Sequence, residues 1–385
     1  MRHGYELALD HLTPELFPRT CLILNEGIEQ GVAPGMVAGF WSAREPNKVL
    51  LRAAGVRRLN PALPMEVDTV FDLASLSKVF ATSTLTAKFV ERGWLSWETP
   101  VRRLLPEFRY SDVSIRHLLS HSSGLPAWAP FFEQIRNHFV GQKIEQVPIH
   151  LRQRLMRELV FSASLERAVG ERSVYSDLGF MVLGFALEEV AGSALDQAVE
   201  HYIWRPMGLN SAFFNRVTSR SVRKALESVA ATEDCPWRGG VLQGQVHDDN
   251  CWSMGGYGGH AGAFADARDV LGFGAGLFGG FLSREILSDV WTKVERPLLS
   301  DRTLGWDTPS GAMPAAGRFF SERSVGHLGF TGTSLWIDPE AEVAVTLLTN
   351  RVHPSRENTK IKAFRPRFHD AIRQDIDSVL SRGRH

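Results

Sequence analysis

Hydrophobic residues recur along this chain with two different periods, and these periods separate predicted helices from predicted strands. In segment 71–93, apolar side chains return at every fourth position, at Ala81, Leu85 and Phe89, before a glycine ends the pattern. This spacing predicts an amphipathic helix, for which Asp72 is a suitable N-cap. Further helices are predicted over 13–31, over the strongly apolar stretch 179–192, and along an apolar stripe at 372–380.

Runs rich in β-branched residues predict strands near both ends of the chain. Residues 36–43 and 49–56 flank one polar turn, and residues 333–337 and 343–349 flank another. Each pair is typical of a β-hairpin, and the run VAVTLL predicts a buried strand. No internal repeat or clear linker divides the sequence, so its 385 residues are predicted to form one interleaved unit.

Composition narrows the classes of function. Lysine plus arginine and aspartate plus glutamate both number 43, so no global charge favours nucleic acid or an anionic membrane as a partner. The basic residues Lys362, Arg365 and Arg367 are predicted to lie at the surface. Three widely spaced cysteines indicate neither a metal site nor a disulfide framework. No run is long enough to span a membrane and no signal peptide is recognisable, so we expect a cytoplasmic protein unless an upstream leader is missing.

A serine and a lysine three residues apart stand at the start of the first predicted helix, at Ser75 and Lys78. On a helix this spacing places the amine beside the hydroxyl, and the first turn offers unpaired N–H groups to an oxyanion. Burial against apolar residues lowers the pKa of a lysine, so Lys78 is predicted to act as a base toward a nucleophilic Ser75. The same pattern recurs at 221–224 among charged residues, where a solvated helix start is the simpler interpretation.

Two other groups of residues point to chemistry on weaker grounds. Tyr175 precedes the apolar helix and is either a core residue or a phenol that passes a proton between serine and leaving group. Its tripeptide recurs at Tyr110-Ser111-Asp112, which weakens the second interpretation. The glycine-rich stretch 239–264 carries polar residues that could bind a metal, but their spacing fits no standard zinc or iron site and favours a loop that lines a cleft. These residues are His247, Asp248, Asp249, Asn250 and His260.

Three short motifs in a fixed order resemble the signatures of a known family. Ser75-Leu76-Ser77-Lys78, Tyr175-Ser176-Asp177 and His327-Leu328-Gly329 are similar to the S-x-x-K, Y-x-N and K/H-T-G motifs of serine β-lactamases and penicillin-binding proteins. The pattern is nearest the branch of class C β-lactamases and DD-peptidases. The stretches IRHLLSHSSGLP, GGYGGHAGAF and FTGTSLWIDPE also resemble that branch, and the resemblance spans roughly residues 30–355.

The resemblance implies an α+β fold of the α/β sandwich type, with an antiparallel sheet between helices. Residues 1–74 and 265–385 would build the sheet and its flanking helices, residues 75–264 a mainly helical region, and the active site would lie at their junction. Ser75 would be the acylated nucleophile, Lys78 its base and Tyr175 the proton carrier. The backbone N–H groups of Ser75 and Phe330 would form the oxyanion hole, and no metal or other cofactor is implied.

The resemblance also implies substrate contacts for Asp177, His327 and Gly329, and two of these residues depart from the family pattern. Histidine is largely neutral at pH 7 where the family has a cation, and an ionised aspartate cannot donate a hydrogen bond as asparagine does. Leu328 removes a hydroxyl as well. We therefore expect an esterase or amidase acting on small substrates.

Two alternatives to an esterase or amidase stay open. The first is a D-alanyl-D-alanine carboxypeptidase or β-lactamase, whose substrates carry a carboxylate. Activity on such substrates is expected to rise, relative to ester activity, as pH falls toward about 6.5, where His327 would gain a proton. The second alternative is a non-catalytic member of the fold that binds a ligand. The oligomeric state is left open by the sequence.

Overall fold

The strands of the principal sheet come from the two ends of the chain. The protein is described by a computed structural model over residues 7–221, 226–295, 297 and 300–382. Its strands are β1 (Ala8–His11), β2 (Gly35–Ser42), β3 (Lys48–Arg58), β4 (Leu63–Pro64), β5 (Phe71–Asp72), β6 (Phe213–Phe214), β7 (Asp234–Cys235), β8 (Gly240–Val241), β9 (Ala263–Ala265), β10 (Val325–Leu328), β11 (Ser334–Asp338) and β12 (Val343–Thr349).

Seven of these strands form one sheet in the order β1-β3-β2-β12-β11-β10, with β4 paired to β3 outside this path. The predicted hairpins β2–β3 and β11–β12 are confirmed, and β12 is buried along its whole length. The sheet is not purely antiparallel, because the N-terminal strand β1 pairs in parallel with β3. Strand β1 has only four residues and little alternation of apolar and polar residues, so the sequence pattern did not predict it. A small second sheet has the order β5-β9-β6.

The helices fall on both faces of the sheet and in the region between its strands. They are α1 (Pro18–Glu29), α2 (Thr84–Glu91), α3 (Val101–Leu104), α4 (Ile115–Leu119), α5 (Phe131–His138), α6 (Ile149–Ser162), α7 (Asp177–Ala191), α8 (Leu195–Val199), α9 (Arg205–Met207), α10 (Asp249–Met254), α11 (Ala267–Phe278), α12 (Arg284–Trp291) and α13 (Ile361–Arg382). Helix α1 begins at Pro18 rather than at residue 13. A proline at the first helical position lacks only an N–H that would have no partner there, so Pro18 is the better start.

Alternate residues of the central strands feed two separate cores, as the two-residue period of a strand requires. Met36 and Phe40 of β2 point to the layer made by α1 and α13, where Ile372 and Ile376 complete the predicted apolar stripe. Val37 of the same strand points to the opposite core, which contains α11 and the helices of the central region. The mixed sheet between helices confirms the predicted fold class.

The basic residues near the C-terminus do not share one environment. Lys362 and Arg367 are exposed, as predicted, but Arg365 is only 7% exposed, so the prediction that it lies at the surface is wrong. The helical period decides this difference, since Arg365 falls on the face of α13 that meets the sheet. Over the described residues, no single helix has both the length and the apolar character needed to cross a bilayer, although α7 and the helical stretch after it pass such a test jointly across a sharp bend.

Candidate active site

Ser75 lies on a tight turn between a strand and a helix. The chain leaves β5 at Asp72, forms a 3-10 turn over Ala74–Leu76, continues as a π-helix over Lys78–Ser83 and only then becomes the α-helix α2. The prediction of one regular helix is therefore wrong at its start. Its apolar stripe is confirmed, because the side chains at 81, 85 and 89 are fully buried.

Asp72 holds the backbone in front of Ser75 instead of capping a helix. One carboxylate oxygen accepts from the Ala74 N–H at 2.8 Å and the other accepts from the His247 N–H at 2.6 Å. Ala74 has φ +48°, a left-handed conformation that costs a non-glycine residue about 1–3 kcal/mol. The residue before the nucleophile candidate is thus strained, and buried hydrogen bonds keep it so.

The Lys78 ammonium group is buried and uses all three of its N–H bonds. Its Nζ donates to Ser75 Oγ at 3.1 Å, to Asp177 Oδ1 at 2.7 Å and to the carbonyl oxygen of His260 at 2.9 Å. The side chain of Lys78 has no exposed surface, and that of Asp177 is 17% exposed. The geometry therefore joins the first and second motifs through one ion pair.

This ion pair corrects the prediction for Lys78. Burial alone would lower the pKa of the lysine, but the Asp177 carboxylate and the Tyr175 oxygen outweigh burial, and the net result is a raised pKa. Lys78 is therefore a cation at neutral pH. An ammonium group has no lone pair, so Lys78 cannot accept the proton of Ser75 in this state.

Tyr175 completes the group around the serine. The Lys78 Nζ lies 4.8 Å from the centre of its ring, and Lys78 and Ser75 both act to lower the pKa of its hydroxyl. Burial raises the pKa of Tyr175, partly offset by Lys78, so the resting residue is a neutral phenol. Tyr110, in the repeated tripeptide, instead donates to Ala163 and accepts from Leu165, which is a structural role.

His121 is a site residue that the sequence did not single out. Its ring lies 4.6 Å from the Tyr175 ring, and its Nδ1 accepts from the Ser176 N–H at 3.0 Å. Burial holds the pKa of His121 well below its ordinary value, so the ring is a neutral acceptor that fixes the backbone beside Tyr175. The residue also has φ +55°. The signal for it in the sequence was its place in the stretch IRHLLSHSSGLP, which resembles the family.

The third motif reaches the serine through the turn that follows β10, which we call the 329–333 turn. Thr331 Oγ1 donates to the Asp72 carbonyl at 2.7 Å, and Thr333 Oγ1 donates to the Leu73 carbonyl at 2.9 Å. A Cβ at Gly329 would lie 2.4 Å from the Leu73 carbonyl oxygen, so only glycine permits this approach. These contacts bring Phe330 to the segment that ends at Ser75.

His327 lies beside the site as a neutral residue. It is 2% exposed, its Nδ1 is 2.8 Å from the Leu328 carbonyl oxygen, and its ring centre is 6.0 Å from that of Tyr175. Its Nε2 is buried without a hydrogen-bond partner among the described residues. Burial lowers the pKa of His327 to about 4, with Asp307 opposing the shift and Lys78 reinforcing it. The expected protonation near pH 6.5 is therefore wrong.

The polar residues of the glycine-rich stretch make hydrogen bonds and ion pairs with other residues of the same chain. Asp248 accepts from the Cys251 N–H and pairs with His260 Nε2 at 3.0 Å, while His247 Nε2 lies 3.2 Å from Glu233. Asp249 forms ion pairs with Arg238 and Arg356, and Asn250 donates to Ala129. Within the described ranges, no group of three or more His, Cys, Asp or Glu side chains could hold a metal ion.

An open polar cavity of about 560 Å³ borders the site. Its lining includes Ser173, two residues before Tyr175, and Leu328, next to His327. Arg302 also lines it, with its guanidinium carbon 5.2 Å from the centre of the Tyr175 ring. Arg302 pairs with Asp307, so its charge is already compensated. The cavity offers space for part of a substrate, and Arg172, an exposed residue, also lines it.

Comparisons of the sequence with known proteins give one family model and a curated relative above 30% identity. A family model described as Beta-lactamase matches residues 23–365. A Salmonella agona (strain SL483) protein named "Putative D-alanyl-D-alanine carboxypeptidase" is 31% identical over 322 residues, covering 76% of this chain and 72% of that protein.

Solved structures share the fold. EstCE1, described as a hydrolase with promiscuous acyltransferase activity, aligns with a TM-score of 0.70 at 23% identity, over 93% of this chain and 98% of its own. A mutant simvastatin synthase from Aspergillus terreus aligns with a TM-score of 0.71 at 19% identity, over 94% and 96% of the two chains. Identities this low establish a common fold and nothing finer.

Proposed function

The chain belongs to the Beta-lactamase family and is a serine hydrolase, and we propose that it cleaves ester or amide bonds of small substrates through an acyl-enzyme on Ser75. The observation that carries this proposal is the arrangement of three side chains in which the Lys78 ammonium contacts both Ser75 and Tyr175. Lys78 donates to Ser75 at 3.1 Å, its Nζ lies 4.8 Å from the centre of the Tyr175 ring, and Lys78 and Ser75 both act to lower the pKa of the Tyr175 phenol. A nucleophile, a fixed cation and a proton carrier in one group are the parts that acyl transfer needs.

The charge states assign the roles in acylation. Because Lys78 is already protonated, the proton of Ser75 moves to the Tyr175 oxygen as Oγ attacks the substrate carbonyl. In the same concerted exchange, the Tyr175 phenol gives its own proton to the departing oxygen or nitrogen, so its oxygen never carries two protons and it ends the step neutral. Lys78 stays a cation and stabilises negative charge on both oxygens during the transfer. Asp177 keeps it in that state.

Deacylation repeats the exchange in the opposite direction. Water gives a proton to the Tyr175 oxygen as it attacks the acyl carbonyl, and Tyr175 returns a proton to the departing Ser75 oxygen. In both steps the tetrahedral oxyanion is placed between the N–H groups of Ser75 and Phe330. The bonds from Thr331 and Thr333 to the 72–73 carbonyls support this position of Phe330.

Three features beside the reacting groups support esters or neutral amides over carboxylate-bearing substrates. His327 is neutral because burial lowers its pKa to about 4. Leu328 offers no hydroxyl, and Arg302 is paired with Asp307. A carboxylate held beside His327 and Leu328 would therefore lose its hydration there without gaining an ion pair from either residue or from Arg302.

A D-alanyl-D-alanine carboxypeptidase is the second candidate, since the Salmonella agona relative carries that name at 31% identity. A panel assay separates the two. Purified protein is expected to hydrolyse short-chain aryl esters far better than D-Ala-D-Ala peptides or cephalosporins. With His327 neutral down to a pKa of about 4, the ratio of these activities is expected to stay flat between about pH 5.5 and pH 8.

Two results of the panel would contradict the proposal. Efficient peptide or cephalosporin turnover with feeble ester hydrolysis would establish the second candidate instead. A rise of carboxylate turnover relative to ester turnover as pH falls through about 6.5 would show that His327 titrates as an ordinary histidine.

A further inference from the structure

Arg365 reaches from the C-terminal helix to the 329–333 turn. Its Nη2 donates to the Gly329 carbonyl at 2.7 Å and to the Thr333 carbonyl at 2.9 Å, and both bonds are buried. An arginine costs much to bury, so it is retained in a core only where its hydrogen bonds replace water. Burial, reinforced by Arg351, lowers the pKa of Arg365 to about 9, which still leaves a cation at neutral pH.

Arg365 contacts the peptide group that carries the proposed oxyanion donor, the Phe330 N–H. The Gly329 carbonyl and the Phe330 N–H belong to the same peptide group, with oxygen at one end and the proposed oxyanion donor at the other. The Gly329 oxygen accepts twice, from Arg365 at 2.7 Å and from the Gly332 N–H at 3.0 Å. A peptide whose oxygen accepts from a cation loses electron density at nitrogen, and its N–H becomes a stronger donor.

A second arginine provides an internal comparison. Arg351 Nε donates to the Phe330 carbonyl at 2.7 Å, which belongs to the next peptide, whose N–H is that of Thr331. Arg351 is also nearly buried, at 5% exposure. The two arginines therefore act on the same turn, but only Arg365 acts on the peptide that carries the Phe330 N–H.

We propose that Arg365 is a positioning residue for catalysis, which orients and polarises the Gly329–Phe330 peptide so that its N–H stabilises the oxyanion on the acyl group. This inference rests on the proposed acyl-enzyme at Ser75. Arg365 lies 290 positions from the nucleophile in the sequence and does not contact substrate, yet by this inference it affects the rate. The C-terminal helix thereby takes part in the chemistry through one side chain.

The infrared stretch of the acyl-enzyme carbonyl tests the inference, because strong donors to that oxygen lower its frequency. Ser75 is acylated with an ester whose carbonyl carries ¹³C, and the isotope-edited band is compared in the parent, Arg365→Met, Arg365→Lys and Arg351→Met. In Arg365→Met the band is expected at a higher wavenumber, with kcat/KM lower by about 10-fold, less than the 10²–10³-fold for deleting an oxyanion donor. Arg365→Lys restores a cation beside one carbonyl and is expected to fall between the parent and Arg365→Met.

Each outcome decides the inference. Arg351→Met is expected to keep the parental band, because the peptide that Arg351 contacts carries the N–H of Thr331 and not that of Phe330. An unshifted band in Arg365→Met, or an equal shift in Arg351→Met, overturns the role of Arg365 while leaving the acyl-enzyme intact. A parent that never acylates at Ser75 overturns both proposals. If Arg365→Met fails to fold, Arg365→Lys decides alone, and a parental band in that variant contradicts the inference.

Discussion

A buried ammonium group needs an anion, and Lys78 has one in Asp177, 2.7 Å away. This contact sets the charge of the whole group around Ser75. Without it, burial would favour a neutral amine that could accept the serine proton. With it, the lysine is held as a cation, and in the proposed mechanism the proton moves through Tyr175. One residue of the second motif thus determines which side chain carries the proton.

Replacing Asp177 with asparagine tests this at the scale of single residues. Asp177→Asn keeps the shape but removes the charge, so burial dominates and the pKa of Lys78 falls. Lys78 then loses its proton at a lower pH, and the enzyme is active over a narrower pH range. We expect the alkaline limb of the pH profile of kcat/KM to move down by about 1–3 pH units. The measurement is kcat/KM for an aryl ester from about pH 6 to pH 10.

Asp112→Asn is the matched control, because Asp112 closes the repeated tripeptide but contacts only the neighbouring Ser111 in its side-chain hydrogen bond. Its profile is expected to match that of the parent. An alkaline limb that stays in place in Asp177→Asn would show that Asp177 does not set the charge of Lys78. A rate that instead grows as Lys78 loses its proton would make the lysine the base.

The residue types of this site could be predicted from the sequence, but their charges could not. Ser75, Lys78 and Tyr175 stand out by motif and order, and the structure brings Lys78 into contact with the other two. The charge of Lys78 depends on Asp177, 99 positions further along the chain, and spacing within a motif cannot show that contact. Apolar neighbours in the sequence predict only the effect of burial, which lowers the pKa of a lysine. In Lys78 the effect of Asp177 and Tyr175 on the pKa is larger.

At the scale of elements, the turn that bears Ser75 is held by contacts from two distant segments. Leu73 donates to Ala263 of β9, Ala263 donates to Ser77 Oγ, and the 329–333 turn binds the 72–73 carbonyls. The hairpins were predictable, since the period of two and the polar turns are local signals. The strand, 3-10 turn and π-helix before α2 were not, because tertiary hydrogen bonds override the helical period there.

At the scale of the whole molecule, the sheet unites both ends of the chain, and α13 lies on it with Arg365 and His369 turned inward. The sequence predicted this layer from the apolar stripe of α13. It did not predict the buried polar residues, because a helical stripe identifies a buried face only through its apolar members. Burial lowers the pKa of His369 to about 3, helped by the nearby Arg365 and opposed by the Ala315 carbonyl.

This histidine makes stability depend on pH. Above the unfolded pKa of about 6.5 it is neutral in both states, and below that value the unfolded chain gains a proton that the folded chain refuses. Its contribution to stability is therefore full above about pH 6.5 and is lost as pH falls toward 3. Between about pH 6.5 and pH 4.5 the expected loss is roughly 2–3 kcal/mol in the free energy of unfolding.

Urea unfolding of the parent and of His369→Gln at several pH values measures this loss. The glutamine variant does not titrate, so its stability is expected to fall less over the same range. His138→Gln, at a histidine exposed to solvent, is the control and should keep the parental dependence on pH. Equal pH dependence in the parent and His369→Gln would show that His369 gains its proton in the folded state too.

The central claim is that Ser75, and no other serine, forms the acyl-enzyme. The second serine of the same pattern, Ser221, only closes a local turn with Thr218, and the lysine three residues after it lies outside the described residues. The most direct measurement is an intact mass spectrum after exposure to a fluorophosphonate, with the modified peptide then mapped. Steady-state ester hydrolysis is followed in the same preparations.

We expect one adduct on the peptide that contains Ser75 in the parent and in Ser221→Ala, and none in Ser75→Ala. Ester hydrolysis by Ser75→Ala is expected to fall by several orders of magnitude, on the scale of ~10⁶-fold for a lost serine nucleophile. An adduct that persists in Ser75→Ala, or a parent that takes up no label while it hydrolyses esters, would contradict the assignment of Ser75.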